Sequence, residues 1–461
     1  MIPLLARSVY ALQERALHRP TLRYLAELER SQWFDRPAIE ALQTHKLNSL
    51  LALSLAHSPW HAARIRQAGL ADAVQAEAID LADLSRLPTM NKRDARDHVE
   101  QLVWRSVPGG VFKYNTGGSS GEPLSFYFGR ARQASDAAGR MRARRWWGVQ
   151  PGDREVYLWG APVELSKTDH IKTLRDRLIN QLVLNAFAMS PARMDDYLLA
   201  LQSWQPQCMY GYASSIALLA AHAEARSIKL GLRRLRVVCT TGEPLYPHQR
   251  ELISRVFGAP VANEFGSRDI GFTAHEAPGG QMLLMSESHV IEVLDADGHE
   301  VAPGESGEAV ITGLTTFAQP FIRYRTGDVL RLATEPAQDG RGLHVIAEVS
   351  GRQTDYVVAA DGRVMHALAL IYVLRAVPGI VQFKCIQHSV QALEVQLVTD
   401  AQWNEAAQQA VISGLRARLG SELQVTLRLL EDIPPEQSGK HRYVVSHVNL
   451  AEVLPPSAVL N

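Results

Sequence analysis

The spacing of apolar residues predicts that the chain begins with a region rich in helices. Up to about residue 105, apolar residues recur at helical spacing, as Leu47, Leu51 and Leu55 do at i, i+4 and i+8. The residues Leu-Pro-Thr at 87–89 interrupt this pattern, because proline does not continue a helix. The N-terminal region is therefore predicted to be a set of helices with a break at this point.

Strand-like and helical patterns alternate further along the chain. Residues 154–160 and 235–241 are rich in β-branched and aromatic side chains, which is typical of strands. Residues 194–201 and 214–225, which lie between them, have helical spacing. Strands separated by helices indicate a layered α/β core.

The pattern changes twice more towards the C-terminus. Residues 286–332 are β-like throughout, and the chain then shifts after 351–352 to a short α+β pattern. The fold class is therefore predicted to be α/β. It comprises a large, multi-layered N-terminal domain of β-sheets and helices over residues 1–350 and a small α+β domain over residues 356–461.

Composition and charge narrow the class of protein. The 461 residues are enough for more than one domain with an ample core, and 46% are apolar and 21% charged, as in a soluble enzyme. The 48 basic and 48 acidic residues balance, so no global field favours nucleic acid or an anionic membrane. No apolar run reaches the roughly 18 residues of a membrane span, so none is expected.

The three cysteines, Cys208, Cys239 and Cys385, are isolated and form no C-x-x-C pair. Neither a zinc site nor a disulfide framework is therefore indicated. We expect buried, reduced thiols in a cytoplasmic protein.

The most informative segment is the loop in residues 114–129, which read YNTGGSSGEPLSFYFG. Glycines let backbone N–H groups curl around an anion, and hydroxyl side chains add further donors. The loop is therefore a candidate phosphate cradle. The residues that would form it are Thr116, Gly117, Gly118, Ser119, Ser120 and Gly121.

Other interpretations of this loop are open. A Walker loop needs lysine where Glu122 stands, so that interpretation is poor. The letters G-x-S-x-G around Ser119 match a hydrolase nucleophile elbow, but an elbow needs a helix directly after the serine. Here Pro123 and the alternating residues 124–128 predict a strand instead. A glycine-rich hairpin turn without a ligand is the third interpretation.

Further polar motifs follow along the chain. Each of them alone is typical of a turn or a solvated loop. His275-Glu276 lacks the second histidine of a zinc motif, because Gly279 stands in its place, and it is predicted to lie on a solvated surface. The motifs are TGEPL at 241–245, NEFGSRD at 263–269, IRYRTGD at 322–328, VSGR at 349–352 and PPEQSGKHR at 434–442.

In this order and spacing, the motifs resemble the adenylate-forming (AMP-binding) superfamily. The nearest branch is that of the phenylacetate–CoA ligases, which carries a string like IRYRTGD at 322–328. Its CapK-type relatives carry a loop like NTGGSSGEPL at 115–124. The resemblance extends from Leu87 to Arg442, and it implies an N-terminal adenylation domain followed by a small mobile domain.

The resemblance implies a role in ATP binding for each motif. Asp269 stands where the family has a glutamate that helps to hold Mg²⁺, and a carboxylate suits an oxygen-bound metal. Asp328 resembles the acid that binds the ribose hydroxyls, and Arg352 resembles an arginine that holds the ribose or a phosphate. Lys440 resembles a mobile lysine that bridges the substrate carboxylate and the α-phosphate. The other implied ATP or AMP contacts are the loop residues 116–121 and Gly242, Glu243, Pro244, Phe265, Gly266, Ser267 and Arg268.

The resemblance and the chain position also imply a pocket for the acid substrate. Its aromatic side chains, close to glycines, suit a flat, apolar or aromatic acid. Packing in the core is an equally good interpretation of the same residues. They are Trp159, Tyr210, Gly211, Tyr212 and Ala213, beside Phe265 and Gly266.

Three positions depart from the family pattern. The usual Thr-Glu pair is Arg-Asp at 268–269, and Glu122 stands in the loop where many members have lysine. The implied hinge at 351–355 reads GRQTD, so that Thr354 replaces the first of two aspartates and only Asp355 is kept. A shorter acid at 269 should still reach Mg²⁺ through water, and Glu122 should weaken phosphate binding in the loop.

The implied function is activation of a carboxylic acid, which the pocket predicts to be aromatic, to an acyl-adenylate and pyrophosphate. The acyl group would then pass to the thiol of coenzyme A. Lys440 and Asp269 are the implied catalytic residues, and ATP and Mg²⁺ are the implied cofactors. An amine or an acyl-carrier protein as acceptor, a serine hydrolase using Ser119 and a non-catalytic nucleotide-binding relative stay open. We expect no nucleic-acid partner, and a homodimer is one option for the assembly.

Overall fold

Helices form the N-terminal part of the chain, as the apolar spacing predicts. The computed structural model describes residues 2–115, 124–159, 175–186, 189–243, 245–295, 297–349, 356–361, 364–433 and 443–448. The helices are α1 (Pro3–Ala16), α2 (Thr21–Ser31), α3 (Arg36–His57), α4 (Pro59–Gln67), α5 (Ala71–Gln75), a 3₁₀ turn (Ala82–Arg86), α6 (Lys92–Asp97) and α7 (Val99–Leu102).

Helix α3 follows directly from its local sequence. The carboxylate of Asp35 accepts a hydrogen bond from the backbone N–H of Ala38 at 3.0 Å, which caps the first turn. Leu47 and Leu51 are buried, and Leu55 packs against the same cluster. The predicted apolar face of this helix is therefore confirmed.

An antiparallel hairpin follows the helices. Strand β1 (Val111–Asn115) pairs with β2 (Ser125–Gly129), and Asn115 lies opposite Ser125 at its open end. Helix α8 (Arg130–Trp146) begins directly after β2. The strand predicted after the glycine-rich loop is therefore confirmed.

A sheet of eleven strands organises the chain up to Val349. Five of them are parallel, and the helices between them are α9 (Pro191–Trp204), α10 (Ala213–Ala225) and α11 (Pro247–Phe257). The parallel order is β4-β3-β5-β6-β7. These strands are β3 (Glu155–Trp159), β4 (Gln181–Asn185), β5 (Cys208–Gly211), β6 (Val237–Thr240) and β7 (Val261–Ser267).

The rest of this sheet is antiparallel and continues from β7 in the order β8-β9-β13-β12-β11-β10. The β-like character of residues 286–332 is thereby confirmed. The strands are β8 (Gly271–Glu276), β9 (Met282–Leu284), β10 (His289–Leu294), β11 (Ser306–Gly313), β12 (Tyr324–Leu332) and β13 (Val345–Val349).

Side chains on alternate positions of the parallel strands enter different clusters, as the pleat of a strand requires. On β5, Met209 packs with the apolar faces of α9, α10 and α11. Its neighbours Cys208 and Tyr210 point to the opposite face and pack with Val149. Both faces of the sheet are covered, so the layered α/β architecture is confirmed.

A second sheet begins after the first one ends at Val349. Its order is β18-β17-β16-β19, and Val395 on β17 packs with Val411 and Leu415 of a helix. The small hairpin that precedes this sheet contacts α10. The elements are β14 (Tyr356–Val358), β15 (Val364–His366), α12 (Leu368–Arg375), β16 (Ile380–Ser389), β17 (Ala392–Thr399), α13 (Glu405–Leu419), β18 (Gln424–Leu429) and β19 (Val444–Ser446).

The expectation that His275 and Glu276 lie on the surface is wrong, because both are buried in β8, an interior strand. Glu276 Oε2 accepts hydrogen bonds from Arg250 Nη2 and from the backbone N–H of Asn263, both at 2.8 Å. Burial lowers the pKa of His275, so its ring is neutral near pH 7. The prediction failed because two adjacent polar residues in the sequence do not show whether their strand is covered on both faces.

The three cysteines are free and buried, as expected. Cys208 and Cys239 are not isolated in space, however, because their sulfur atoms lie 3.9 Å apart on the adjacent strands β5 and β6. Within the described ranges, no helix has the length and apolar character needed to cross a membrane.

A fully buried ion pair, with one further hydrogen bond, connects helices α2 and α8 to the segment before β10. Arg142 of α8 and Glu287, which precedes β10, are both 0% exposed, and Nη1 lies 2.5 Å from Oε1. Ser31 of α2 donates to the same carboxylate at 2.7 Å. Burial alone would raise the pKa of Glu287. The attraction of Arg142 and the donated hydrogen bonds outweigh burial and lower that pKa.

We expect Glu287→Gln to lower the free energy of unfolding by about 3–5 kcal/mol, because it leaves the charge of Arg142 buried without a counter-ion. Urea unfolding would measure this, with the apolar pair R142M/E287L as the matched control. The control should recover most of the loss, because no charge is then buried. A loss in the double variant as large as in E287Q would contradict the explanation.

The same pair predicts a pH dependence. Because the folded-state pKa of Glu287 is lowered, its contribution is complete above the unfolded-state pKa near 4.5 and is lost as the pH falls through the folded-state value. The difference in stability between wild type and E287Q should therefore shrink in acid.

Candidate active site

The carboxyl ends of the parallel strands bring the motif residues to one edge of the sheet. Trp159 ends β3, Gly211 ends β5, residues 241–243 follow β6, and Ser267 ends β7. In open α/β sheets, ligands bind in the crevice outside this edge. The structure thus brings the expected acid pocket close to the expected nucleotide motifs.

Three aromatic rings stack on one another at this edge. The rings of Trp159 and Tyr212 are 4.5 Å apart and 14° from parallel, and those of Trp159 and Tyr210 are 5.7 Å apart. Tyr210 and Tyr212 are buried, whereas Trp159 is half-buried. The two tyrosines therefore pack the end of the sheet, and Trp159 is the ring of the three that stays half-exposed.

A buried carboxylate that sequence reasoning missed lies beneath these rings. Glu264 Oε1 accepts from Tyr210 Oη at 2.9 Å and from Thr241 Oγ1 at 3.2 Å, and Arg140 Nε lies 3.5 Å away. Burial, followed by the charge of Glu264, raises the pKa of Tyr210, so this phenol stays protonated and donates. Glu264 stands beside Asn263 in the motif at 263–269, and no pattern in the sequence distinguishes it from a solvated acid.

The turn after β6 has a structural reason for its glycine and its acid. Gly242 has a φ of +80°, and a Cβ there would lie 3.1 Å from the ring of Tyr212. The carboxylate of Glu243 accepts from the backbone N–H of Ser214, in the first turn of α10. The Glu243 side chain therefore caps a helix, and the contact of this turn with adenine stays a prediction.

Two of the motifs meet at Asp269. This residue follows β7 and is buried, and its carboxylate accepts from Ser267 Oγ and from Tyr324 Oη, the latter at 2.7 Å. Tyr324 belongs to the 322–328 motif on β12. A carboxylate is a hard oxygen ligand of the kind that Mg²⁺ takes, so the side chain of Asp269 fits the expected metal.

The remaining charged residues of the 322–328 motif have different environments. Arg323 Nε donates to Glu292 at 3.0 Å, and Arg325 Nε donates to Glu308 at 2.9 Å, so both arginines tie strands together. Asp328 is half-buried, and its backbone N–H donates to Thr326 Oγ1 at 3.1 Å. The two arginines of this motif therefore hold the sheet together, and the ribose role of Asp328 stays a prediction.

The glycine-rich loop connects β1 to β2, and residues 116–123 lie outside the described residues. At its base, Ser125 Oγ donates to Asn115 Oδ1 at 2.8 Å. Helix α8 begins only after the whole of β2. A nucleophile elbow needs strand, turn and helix in direct succession, so this connectivity counts against the hydrolase.

Comparisons with known proteins agree with these motifs. Residues 357–447 match the family described as the CapK C-terminal domain. The protein CapK of Staphylococcus aureus is 22% identical, over 80% of this chain and 82% of that protein. A phenylacetate–coenzyme A ligase of Pseudomonas putida is 25% identical, over 70% of this chain and 73% of its own. The resemblance to the adenylate-forming ligases is confirmed.

A solved structure agrees with the fold. The 2-hydroxyisobutyryl-CoA ligase in complex with 2-HIB-AMP and CoA superposes with a TM-score of 0.60, over 92% of this chain and 93% of that one. Because the identity is 19%, this likeness concerns the fold. The mixed α/β architecture, with its large sheets and helices, matches the structures of adenylate-forming ligases.

Several expected site residues lie outside the described residues and stay predictions. They include the catalytic candidate Lys440, the ribose or phosphate candidate Arg352 and the adenine-wall candidate Pro244. The remaining ones are the loop residues 116–121 and the hinge residues Thr354 and Asp355.

We expect Tyr324→Phe to lower the free energy of unfolding by about 1–3 kcal/mol, because the buried carboxylate of Asp269 loses a donor. Urea unfolding measures the change. Tyr24→Phe in α2 is the matched control, since its hydroxyl makes no hydrogen bond within the described part of the chain. If both variants are as stable as wild type, this bond does not hold Asp269 in place.

Proposed function

We propose that the chain is an AMP-forming carboxylate ligase that activates an acid with ATP and transfers the acyl group to the thiol of coenzyme A. The observation that carries this proposal is the hydrogen bond from Tyr324 to Asp269. It joins two adenylation motifs at the carboxyl edge of the parallel strands, where a ligand site is expected.

The reaction has two steps. In the first, a carboxylate oxygen attacks the α-phosphorus of ATP, and the bond to the oxygen that bridges to the β-phosphorus breaks, so that pyrophosphate leaves. In the second, the thiol sulfur attacks the acyl carbonyl, the carbon–oxygen bond to AMP breaks, and the thiol proton passes to solvent. The first step needs neutralisation of charge more than acid–base catalysis.

The residues of this chain divide that task. We assign the phosphates to residues 116–121, the ribose to Asp328 and Arg352, and the adenine to the turn at 242–244. Asp269, with Ser267 beside it, would hold Mg²⁺, which supplies positive charge to the phosphates. Lys440 would bridge the substrate carboxylate and the α-phosphate, because an ammonium group on a flexible stem can enter and leave a site.

Lys440 lies in the part of the chain that matches a C-terminal family domain, which begins after the first sheet ends. We therefore divide the chain into residues 1–350 and 356–461, with a hinge at 351–355. Rotation of the small domain about this hinge would remove Lys440 after the first step and admit the acceptor.

Coenzyme A is the favoured acceptor because relatives named as coenzyme A ligases cover most of this chain. An amine or an acyl-carrier protein would use the same first step and stays the alternative. An aromatic acid is the favoured substrate class, since the half-buried ring of Trp159 lies at the site edge. The buried free cysteines agree with a reducing compartment such as the cytoplasm.

The first test is ATP–pyrophosphate exchange with Mg²⁺ against a panel of aromatic and aliphatic acids. Exchange with one class of acid is expected for wild type. Lys440→Ala should lower the exchange rate about 10²–10³-fold, because it removes charge that stabilises the transition state.

Lys229→Ala is the matched control, since Lys229 is exposed in the loop before β6. The control should exchange at the wild-type rate. Full exchange in K440A would refute the role of Lys440. If the wild-type protein showed no exchange with any acid but still bound ATP in calorimetry, the result would support a non-catalytic nucleotide-binding relative instead.

A fluorophosphonate probe separates the ligase from the hydrolase. We expect no labelling of wild type, because the chain continues from the loop into a strand and not into the helix of an elbow. Mass spectrometry of the treated protein would detect the adduct. Labelling that Ser119→Ala abolishes would revive the hydrolase.

A further inference from the structure

Arg268, in the turn between β7 and β8, places a positively charged side chain beside Asn115, the last described residue before the glycine-rich loop. Arg268 is half-buried, and its Nη1 donates to the carbonyl of Asn115 at 3.3 Å. Its guanidinium carbon lies 5.6 Å from the centre of the Tyr114 ring, within the range of a cation–π contact. Asn115 is the last residue of β1, so this charge lies directly beside the start of the loop.

The backbone of this turn is held from the side of α8. Arg132 is 5% exposed, and its Nη2 donates to the carbonyl of Arg268. Its Nε lies 3.6 Å from Asp136, whose carboxylate also accepts from the backbone N–H of Phe272 at 3.1 Å. Arg132 was not predicted from the sequence, and its position makes it a positioning residue for the turn.

The other side of the turn is also fixed. Asp269, the next residue, is held by Ser267 and Tyr324. The backbone on both sides of Arg268 is therefore restrained, while the residue stays half-exposed. A restrained backbone lowers the entropy lost when such a side chain binds an anion.

No acid among the described residues forms an ion pair with Arg268. Its side-chain contacts are a neutral carbonyl and a ring, and within the described ranges no carboxylate oxygen lies within 4.0 Å of its guanidinium. Residues 115–129 contain no lysine or arginine, and their charged side chain is Glu122. The loop that would cradle the phosphates therefore supplies no cation of its own.

We propose that Arg268 binds the β- and γ-phosphates of ATP, the part that leaves as pyrophosphate. This inference rests on the proposed function and assigns a specific task within it. The guanidinium provides the positive charge that the loop lacks, and its planar fork suits phosphate oxygens. The α-phosphate is left to other groups.

Calorimetric titration of MgATP, pyrophosphate and AMP into Arg268→Thr tests the assignment. We expect the affinity for ATP and for pyrophosphate to fall about 10-fold to 100-fold, as the loss of charged hydrogen bonds predicts. The affinity for AMP should stay at the wild-type value, because AMP has no β- or γ-phosphate.

Two further variants sharpen the test. Arg233→Thr is the matched control, because Arg233 is exposed and precedes β6, at the end of that strand away from the candidate site. The R233T variant should bind all three ligands like wild type. The double variant R268T/E122K places a cation in the loop instead. It should recover most of the lost affinity for ATP and pyrophosphate.

The outcomes separate the inference from the function on which it rests. Equal losses for ATP and AMP in R268T would mean that Arg268 only clamps the turn to the hairpin, and this would overturn the inference. Unchanged ATP affinity in R268T would overturn it as well. If wild type bound neither ATP nor AMP, the proposed function itself would be refuted.

Discussion

Buried charge on helix α8 is the constraint on which the rest of the structure depends. An arginine without a counter-ion costs several kcal/mol in an apolar interior, so each buried guanidinium must find an acid or a carbonyl (about 3–5 kcal/mol when one partner is removed). Arg142 forms an ion pair with Glu287, and Arg144 forms one with Glu155 at the start of β3. These two pairs place α8 against the sheet in one register, because a shift of the helix would separate both.

The same helix brings the candidate site together. Its first turns hold Arg132 beneath the turn at 268–269, and Arg140, two turns further along, lies beside Glu264. The helix also follows directly from the β1–β2 hairpin. Packing that satisfies buried charge therefore also places the β1–β2 hairpin relative to the residues at the ends of the parallel strands.

The candidate site combines a restrained, charged turn with an aromatic edge of the sheet, and both suit the proposed binding of a nucleotide and an acid. The turn at 268–269 is restrained by hydrogen bonds to Asp269 and to the Arg268 carbonyl, so its charged groups need little reorganisation when a nucleotide binds. The edge of the sheet beside it has an aromatic surface at Trp159 and a buried carboxylate at Glu264. That carboxylate already accepts hydrogen bonds from two hydroxyls, which makes it a support for the pocket wall.

The order of motifs along the chain was enough to predict the resemblance to the adenylate-forming ligases, and the periodicity of apolar residues was enough to predict the α/β class and the strand after the loop. A short segment such as 322–328 can be recognised in the sequence because its glycine and charged residues follow one another at a characteristic spacing. The sequence alone could not show that Arg323 and Arg325 form ion pairs with Glu292 and Glu308 of strands β10 and β11. Nor could it reveal Arg132 and Glu264, or that His275 is buried.

These features depend on contacts between residues far apart in the chain. Arg132 meets the carbonyl of Arg268 across 136 positions, and Tyr324 meets Asp269 across 55. Local pattern determines whether a residue lies on a helix, a strand or a turn, because periodicity and turn chemistry act over a few positions. Which charge is buried and which faces a ligand is decided only when helix α8 packs on the sheet, because burial and partner are properties of the whole fold.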